Sequence, residues 1–310
     1  MKTSVKTLLA AIAVPVVLSS LPLLGWSECK ASNKVSSNQT FFTSSNINSG
    51  LPSGVFTPSL SNLSPENQTR YTEWFTKGQT QLVDRQYPEA VETFEQVLNI
   101  DPQSVPAYRN MAEALYFQGY YTKSLNMIDK AISLDPVNAK LFFVKGQVLE
   151  ALNRGPEAIE AYLTFINWDP TDSSSLTAQR KVNELYDRYE TRLTAVQREY
   201  FSGLRLLSMQ NAPEAIPFFK RVAELEPTNI NNKLFLGMAY RMSNQNTQAI
   251  AEFEALTKVQ PDNGIAYFQL GRALEWNGQQ TQAQQAWQRF VKTTPNSSQA
   301  GLIQRKMNVN

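Results

Sequence analysis

Histidine is absent from this chain, and with it the side chain that most often moves protons near neutral pH and most often ligates metals. Cysteine is nearly absent too: Cys29 stands alone, so no intramolecular disulfide can form and a thiolate metal set has too few ligands. Excess charge of either sign is missing. Twenty-nine basic residues face 27 acidic ones, for a formal net charge of +2, which leaves no global field to draw nucleic acid or an anionic membrane surface. Glycine-rich phosphate loops, Gly-x-Ser-x-Gly elbows, zinc spacings and calcium-loop patterns do not occur. The carboxylates read as solvated helix faces. No catalytic residue, metal or cofactor is expected, and the partner is expected to be protein or peptide.

What is present suits a folded, soluble chain of 310 residues, with 42% apolar and 18% charged side chains. Lys2 and Lys6 precede an uncharged run from Thr7 to Ser27, the basic and apolar regions of an export signal. The expectation is a signal peptide over 1–27 with cleavage after Ser27, and a periplasmic, lumenal or extracellular protein. An uncleaved membrane anchor is the competing reading, against which Pro15, Pro22 and Ser19-Ser20 weigh. Residues 28–62 are rich in Ser, Asn and Thr without an apolar period, which reads as a disordered tether. At Ser64-Pro65-Glu66 a helix start appears, with a capping serine, a first-turn proline and a carboxylate near the positive end of the helix dipole.

From Tyr71 onward a period of 34 residues runs through six units, at 71–104, 105–138, 139–172, 196–229, 230–263 and 264–297. Gly78, Ala112, Gly146, Gly203, Gly237 and Gly271 fall where a first helix must approach a second. Twelve positions on come Ala90, Ser124, Ala158, Ala215, Ala249 and Ala283, and four further come Phe94, Ile128, Tyr162, Phe219, Phe253 and Trp287. Each unit closes on a proline, at 102, 136, 170, 227, 261 or 295, which cannot continue a helix. This ordered set of sizes resembles the tetratricopeptide repeat (TPR) family. The resemblance implies an all-α solenoid of helical hairpins, each unable to bury its apolar faces alone.

Gln179-Arg180-Lys181-Val182-Asn183 returns 125 positions later as Gln304-Arg305-Lys306-Met307-Asn308, the same offset that separates repeat four from repeat one. A block of three repeats plus a following segment is therefore duplicated. Phe165 and Phe290, bulky where the family usually has a small residue, predict a single capping helix after each triplet. Leu176, Val182, Leu185, Tyr186 and Tyr189 would face inward from the first cap, and Leu302, Ile303 and Met307 from the second. The expected domains are 63–190 and 191–310, with a bend near Thr191 and a capping box at Thr194 to Gln197; one unbroken helix is the alternative.

In the family, first-helix residues line a concave groove that takes peptides. Carried onto this sequence, the groove positions of the first half are Phe75, Gln79, Arg109, Asn110, Glu113, Tyr116, Lys140, Phe143, Gln147 and Glu150. Those of the second half are Tyr200, Leu204, Leu234, Met238, Arg241, Phe268, Gln269, Arg272 and Glu275. A clamp for an acidic C-terminus would want Lys, Asn, Asn, Lys and Arg where Phe75, Gln79, Asn110, Lys140 and Val144 stand, so only Asn110 and Lys140 match. The resemblance implies a non-catalytic adaptor or scaffold in an envelope or lumenal complex. A self-associating structural module and a non-catalytic subunit of an enzyme complex remain as alternatives.

Overall fold

The computed structural model describes residues 63–309, all within one compact unit. The expected signal (1–27) and tether (28–62), and Cys29, lie outside the described residues. Six hairpins follow one another: α1 (Pro65–Val83) with α2 (Tyr87–Ile100), α3 (Val105–Phe117) with α4 (Tyr121–Leu134), and α5 (Ala139–Ala151) with α6 (Gly155–Trp168). Next come α7 (Ser175–Tyr189) and a single 3-10 turn at Glu190–Arg192, then α8 (Ala195–Ser208) with α9 (Ala212–Leu225), and α10 (Ile230–Met242) with α11 (Asn246–Val259). The chain closes with α12 (Gly264–Trp276), α13 (Gln280–Thr293) and α14 (Ala300–Val309). Among the described residues there is no strand, and no helix is long and apolar enough to cross a membrane.

The helix starts follow from local chemistry. Ser64 Oγ accepts from the amide of Asn67 at 3.3 Å ahead of Pro65, and prolines occupy the first turns of α2, α3, α6 and α9. Each hairpin is then locked by its small residue. A Cβ added at Gly78 would lie 2.8 Å from the Phe94 ring, at Gly146 2.6 Å from Tyr162, at Gly203 2.8 Å from Phe219, at Gly237 2.6 Å from Phe253, and at Gly271 2.7 Å from Trp287. Repeat two reaches the same end differently: Ala112 and Ile128 are both fully buried, and Ser124 Oγ donates to the Ala112 carbonyl at 2.7 Å. One periodic feature has no counterpart in the size pattern. The turn between the two helices of every repeat holds a left-handed residue: Arg85 (φ 60°), Gly119 (80°), Asn153 (57°), Gln210 (59°), Asn244 (58°) and Gly278 (78°).

At the seam the helix is interrupted by the Glu190–Arg192 turn, so the unbroken helix is excluded. Thr194 Oγ1 accepts from the Gln197 amide at 3.1 Å while Gln197 Oε1 accepts from the Thr194 amide at 3.0 Å, the reciprocal box that starts α8. α7 packs along α6, and α14 packs on α13. The inward face of α7 is Ala178, Val182 and Leu185, at helical spacing, with Tyr186 and Tyr189 half-buried. Leu176 is a correction: it lies two residues off that stripe and is 85% exposed. Leu302 is likewise exposed, and Ala300 and Ile303 carry the inward face of α14.

The duplicated block is reproduced in space. Phe143 meets Phe165 at 5.2 Å between ring centroids, and Phe268 meets Phe290 at 5.2 Å. Lys181 Nζ lies 2.9 Å from Glu150 Oε1, and Lys306 pairs with Glu275 in the same way. The basic residue of the repeated pentapeptide therefore ties each cap to the triplet it covers.

Besides packing on α7, α6 also packs on α8, and one apolar core runs from Ala112 to Ile303 across the seam. The solenoid also closes on itself. Asp135, in the turn between α4 and α5, is 2% exposed; its Oδ1 accepts from Ser297 Oγ at 2.8 Å and its Oδ2 from the Ser298 amide at 3.2 Å. Asn296 bonds Gln103 beside it.

Two concave faces as candidate functional sites

The positions expected to line a groove in the first triplet lie on the first helices α1, α3 and α5. Apolar members of that face are core: Phe75 stacks on Tyr71 at 5.7 Å and meets Phe94 edge-on at 5.9 Å, and Phe143 touches both Tyr162 and Phe165. Both are buried. Polar members stand nearer the surface. Gln79 and Lys140 are exposed, and Arg109, Tyr116, Gln147 and Glu150 are half-buried. Asn110 is buried, and its Oδ1 accepts from Arg109 Nη2 at 3.2 Å. Glu150 is held twice, accepting from Tyr162 Oη at 3.2 Å as well as from Lys181. Lys140 pairs with Asp172 at 3.4 Å.

Glu113 departs from the solvated-carboxylate expectation. It is 6% exposed, and burial raises its pKa to about 7, partly offset by the nearby Arg109 guanidinium. No sequence signal separates it from Glu150, because both sit at concave positions and only the depth of the groove distinguishes them.

The second triplet carries its concave positions on α8, α10 and α12, and most of them are covered. Tyr200, Leu204, Leu234, Met238, Arg241 and Gln269 are all buried, whereas Phe268, Arg272 and Glu275 are half-buried. The cover at one end is α6. Glu160 Oε1 accepts from Tyr200 Oη at 3.0 Å and from Asn231 Nδ2 at 2.8 Å, Asn167 Nδ2 reaches the Leu204 carbonyl at 3.4 Å, and Trp168 stacks on Phe268 at 6.3 Å. The Tyr200 hydroxyl is pushed well above its ordinary pKa by desolvation and by the Glu160 charge. A cavity of about 190 Å³ remains between α5, α6, α10 and α12, lined by Phe142, Lys145, Glu160, Trp168, Asn231 and Phe235. It is below the roughly 300 to 1,000 Å³ of ordinary small-molecule sites. The two sets of first-helix positions, alike in sequence, thus differ in their surroundings: several polar members of the first keep accessible surface, and Tyr200, Leu204 and Phe268 of the second meet α6.

Among the described residues no group of three or more His, Cys, Asp or Glu is placed to hold a metal ion.

Three family models described as tetratricopeptide repeat match the chain, over residues 206–274, 109–172 and 265–297. Among curated proteins the chain is 25% identical over 173 residues to "Protein STIP1 homolog" of Dictyostelium discoideum, covering 55% of this chain and 30% of that protein. It is 27% identical over 108 residues to "Hsp70-Hsp90 organizing protein" of Triticum aestivum, covering 35% of this chain and 19% of that protein. The chain thus spans less than a third of the length of these relatives. Among solved structures it is similar to a tetratricopeptide repeat protein from Parabacteroides merdae, at 16% identity and TM-score 0.40 over 78% of this chain and 100% of that one. It is also similar to the TPR2AB domain of yeast Sti1 in complex with pHSP90, at 17% identity and TM-score 0.37 over 77% of this chain and 98% of that one.

Proposed function

The chain belongs to the tetratricopeptide repeat family, and we propose that it is a non-catalytic adaptor that holds a protein or peptide partner along the concave face of its first triplet. The observation that carries this reading is the contrast between the two faces. Gln79, Arg109, Tyr116, Lys140, Gln147 and Glu150 keep accessible surface, while α6 covers Tyr200 and Leu204 of the second triplet. The relatives' names speak of Hsp70 and Hsp90 for those proteins. Here Phe75, Gln79 and Val144 stand at three of the five positions of an acidic-tail clamp, which favours a partner of other chemistry in the first groove. A place in an exported, envelope or lumenal assembly is part of the proposal, supported by the basic-then-apolar pattern of residues 1–27.

The test is a cross-linked pull-down from the native source with Arg109→Glu and Gln147→Ala. Both alter polar groups of the face without touching the Phe75 and Phe143 core. Loss of the same bound proteins from both variants is expected; an unchanged set in both sinks the reading.

A second reading, self-association through the caps, is favoured by Leu176 at 85% and Leu302 at 50% exposure. Mass measurement at micromolar concentration decides it. A dimer that dissociates in Leu176→Ser supports self-association, and a strict monomer rejects it.

A further inference from the structure

Glu160 stands half-buried in the wall of the cavity of about 190 Å³ between α5, α6, α10 and α12. Both of its hydrogen bonds, from Tyr200 Oη and Asn231 Nδ2, fall on Oε1 and come from uncharged donors. Among the described residues Oε2 has no partner, and no Lys or Arg pairs with the carboxylate. The other charged groups of the wall are matched already: Lys145 pairs with Asp129 at 2.7 Å, and Glu157 with Arg154. Those pairs cancel, which leaves the Glu160 charge uncompensated. A second cavity, of about 310 Å³, shares Glu157, Glu160 and Asn231 with the first and adds Glu226, and no Lys or Arg lines it. A partly desolvated carboxylate without a counter-charge is costly.

The remainder of the first cavity is largely apolar. The rings of Phe142, Trp168 and Phe235 line it, with Leu149 and Leu234 between them. Aromatic rings attract organic cations and add to the pull of a carboxylate. Thr164 also lines the cavity, is 7% exposed, and its hydroxyl makes no hydrogen bond among the described residues. It is a second acceptor for an N–H donor. The volume exceeds the roughly 150 Å³ in which an apolar protein cavity holds benzene, so a small organic ion fits where a drug-sized molecule does not.

We propose that this cavity binds an organic ammonium ion, with the charged head at Glu160 and Thr164 and the apolar body among Phe142, Trp168 and Phe235. A free amine and the lysine side chain of a partner offer the same chemistry. The site is separate from the polar first-helix positions proposed to hold a protein partner. Because α5 and α6 belong to the first triplet and α10 and α12 to the second, an occupant bridges the two and stabilises the chain by mass action.

The test is calorimetry on the full chain at low salt with benzylammonium, with neutral benzyl alcohol as the control for charge and an acetyl-Gly-Lys-Gly amide peptide as the second source. Benzylammonium is expected to bind more tightly than benzyl alcohol, with a loss of about tenfold or more in Glu160→Gln. That variant should fold as the parent by circular dichroism, because its amide oxygen still accepts from Tyr200 and Asn231. Lys145→Gln, a partly exposed change that removes a positive charge from the wall, should tighten binding about two- to fivefold. Arg109→Glu should leave binding unchanged, which separates failure here from failure of the first groove. No binding of benzylammonium, equal binding of benzyl alcohol, affinity within about twofold of the parent in folded Glu160→Gln, or weaker binding in Lys145→Gln each overturns the proposal. Tighter binding of the peptide than of benzylammonium supports a partner's lysine as the occupant, and the reverse order supports a free amine.

Discussion

The carboxylate of Asp135 accepts a 2.8 Å hydrogen bond from the hydroxyl of Ser297, 162 residues further along the chain. Repeat arrays ordinarily contact only their neighbours and unfold as a series of coupled units. This bond, with the Ser298 amide at the same carboxylate, ties the end of repeat two to the end of repeat six. Asp135→Ala should cost about 2 to 3 kcal/mol, since it strands buried donors. Its urea transition should also broaden or split where the parent shows one step. Circular dichroism under denaturant reads both.

Gly237→Ala is expected to destabilise by about 1 to 3 kcal/mol, because the new Cβ would sit 2.6 Å from the Phe253 ring. Phe253→Leu in the same chain should recover part of that loss. A double-mutant cycle by chemical denaturation measures the coupling.

Gln210 sits at φ 59°, where a side chain is strained and glycine is not. Gln210→Gly should therefore stabilise by about 0.5 to 1 kcal/mol, the left-handed relief exceeding the added chain entropy. Gly119→Ala, at φ 80° with open space around its Cβ, should destabilise by a similar amount for conformational reasons alone. Thermal midpoints of the two variants should move in opposite directions.

Glu113 gives the fold a pH dependence of defined sign. Its pKa is raised from 4.5 to about 7, so the native state holds a proton that the unfolded chain releases, and stability falls as pH rises from 4.5 to 7. Glu113→Gln keeps the neutral form at every pH. It should match the parent at pH 4 and exceed it by up to about 3 kcal/mol at pH 8, as read by denaturant titrations at the two pH values.

Much of this architecture was legible because it rests on size at fixed spacing. Gly146 and Tyr162 stand 16 positions apart in the sequence and meet in space, and the pentapeptide that repeats 125 positions on supplies the Lys181 and Lys306 partners of Glu150 and Glu275. Properties set by long-range geometry were not legible. Asp135 occupies an ordinary turn, and nothing near it in sequence announces Ser297. The burial of Tyr200 and Leu204 depends on how far the seam carries α6 toward α8, which no local pattern encodes. Leu176 was misplaced because an apolar residue near a helix start says little about which face it will occupy until the register of α7 is known.

The fit between Gly and aromatic ring constrains how the hairpins can diverge. Enlarging the small position alone drives it into the ring, and shrinking the ring alone leaves a void, so neither step is neutral by itself. Repeat two differs from the others at both places, with Ala112 larger than glycine and Ile128 smaller than an aromatic. The larger residue on one helix is matched by the smaller one on the other, so the summed volume is roughly kept. Substitutions at these positions should therefore be inherited as pairs, and an exchange of segments between hairpins is tolerated only when both members travel together.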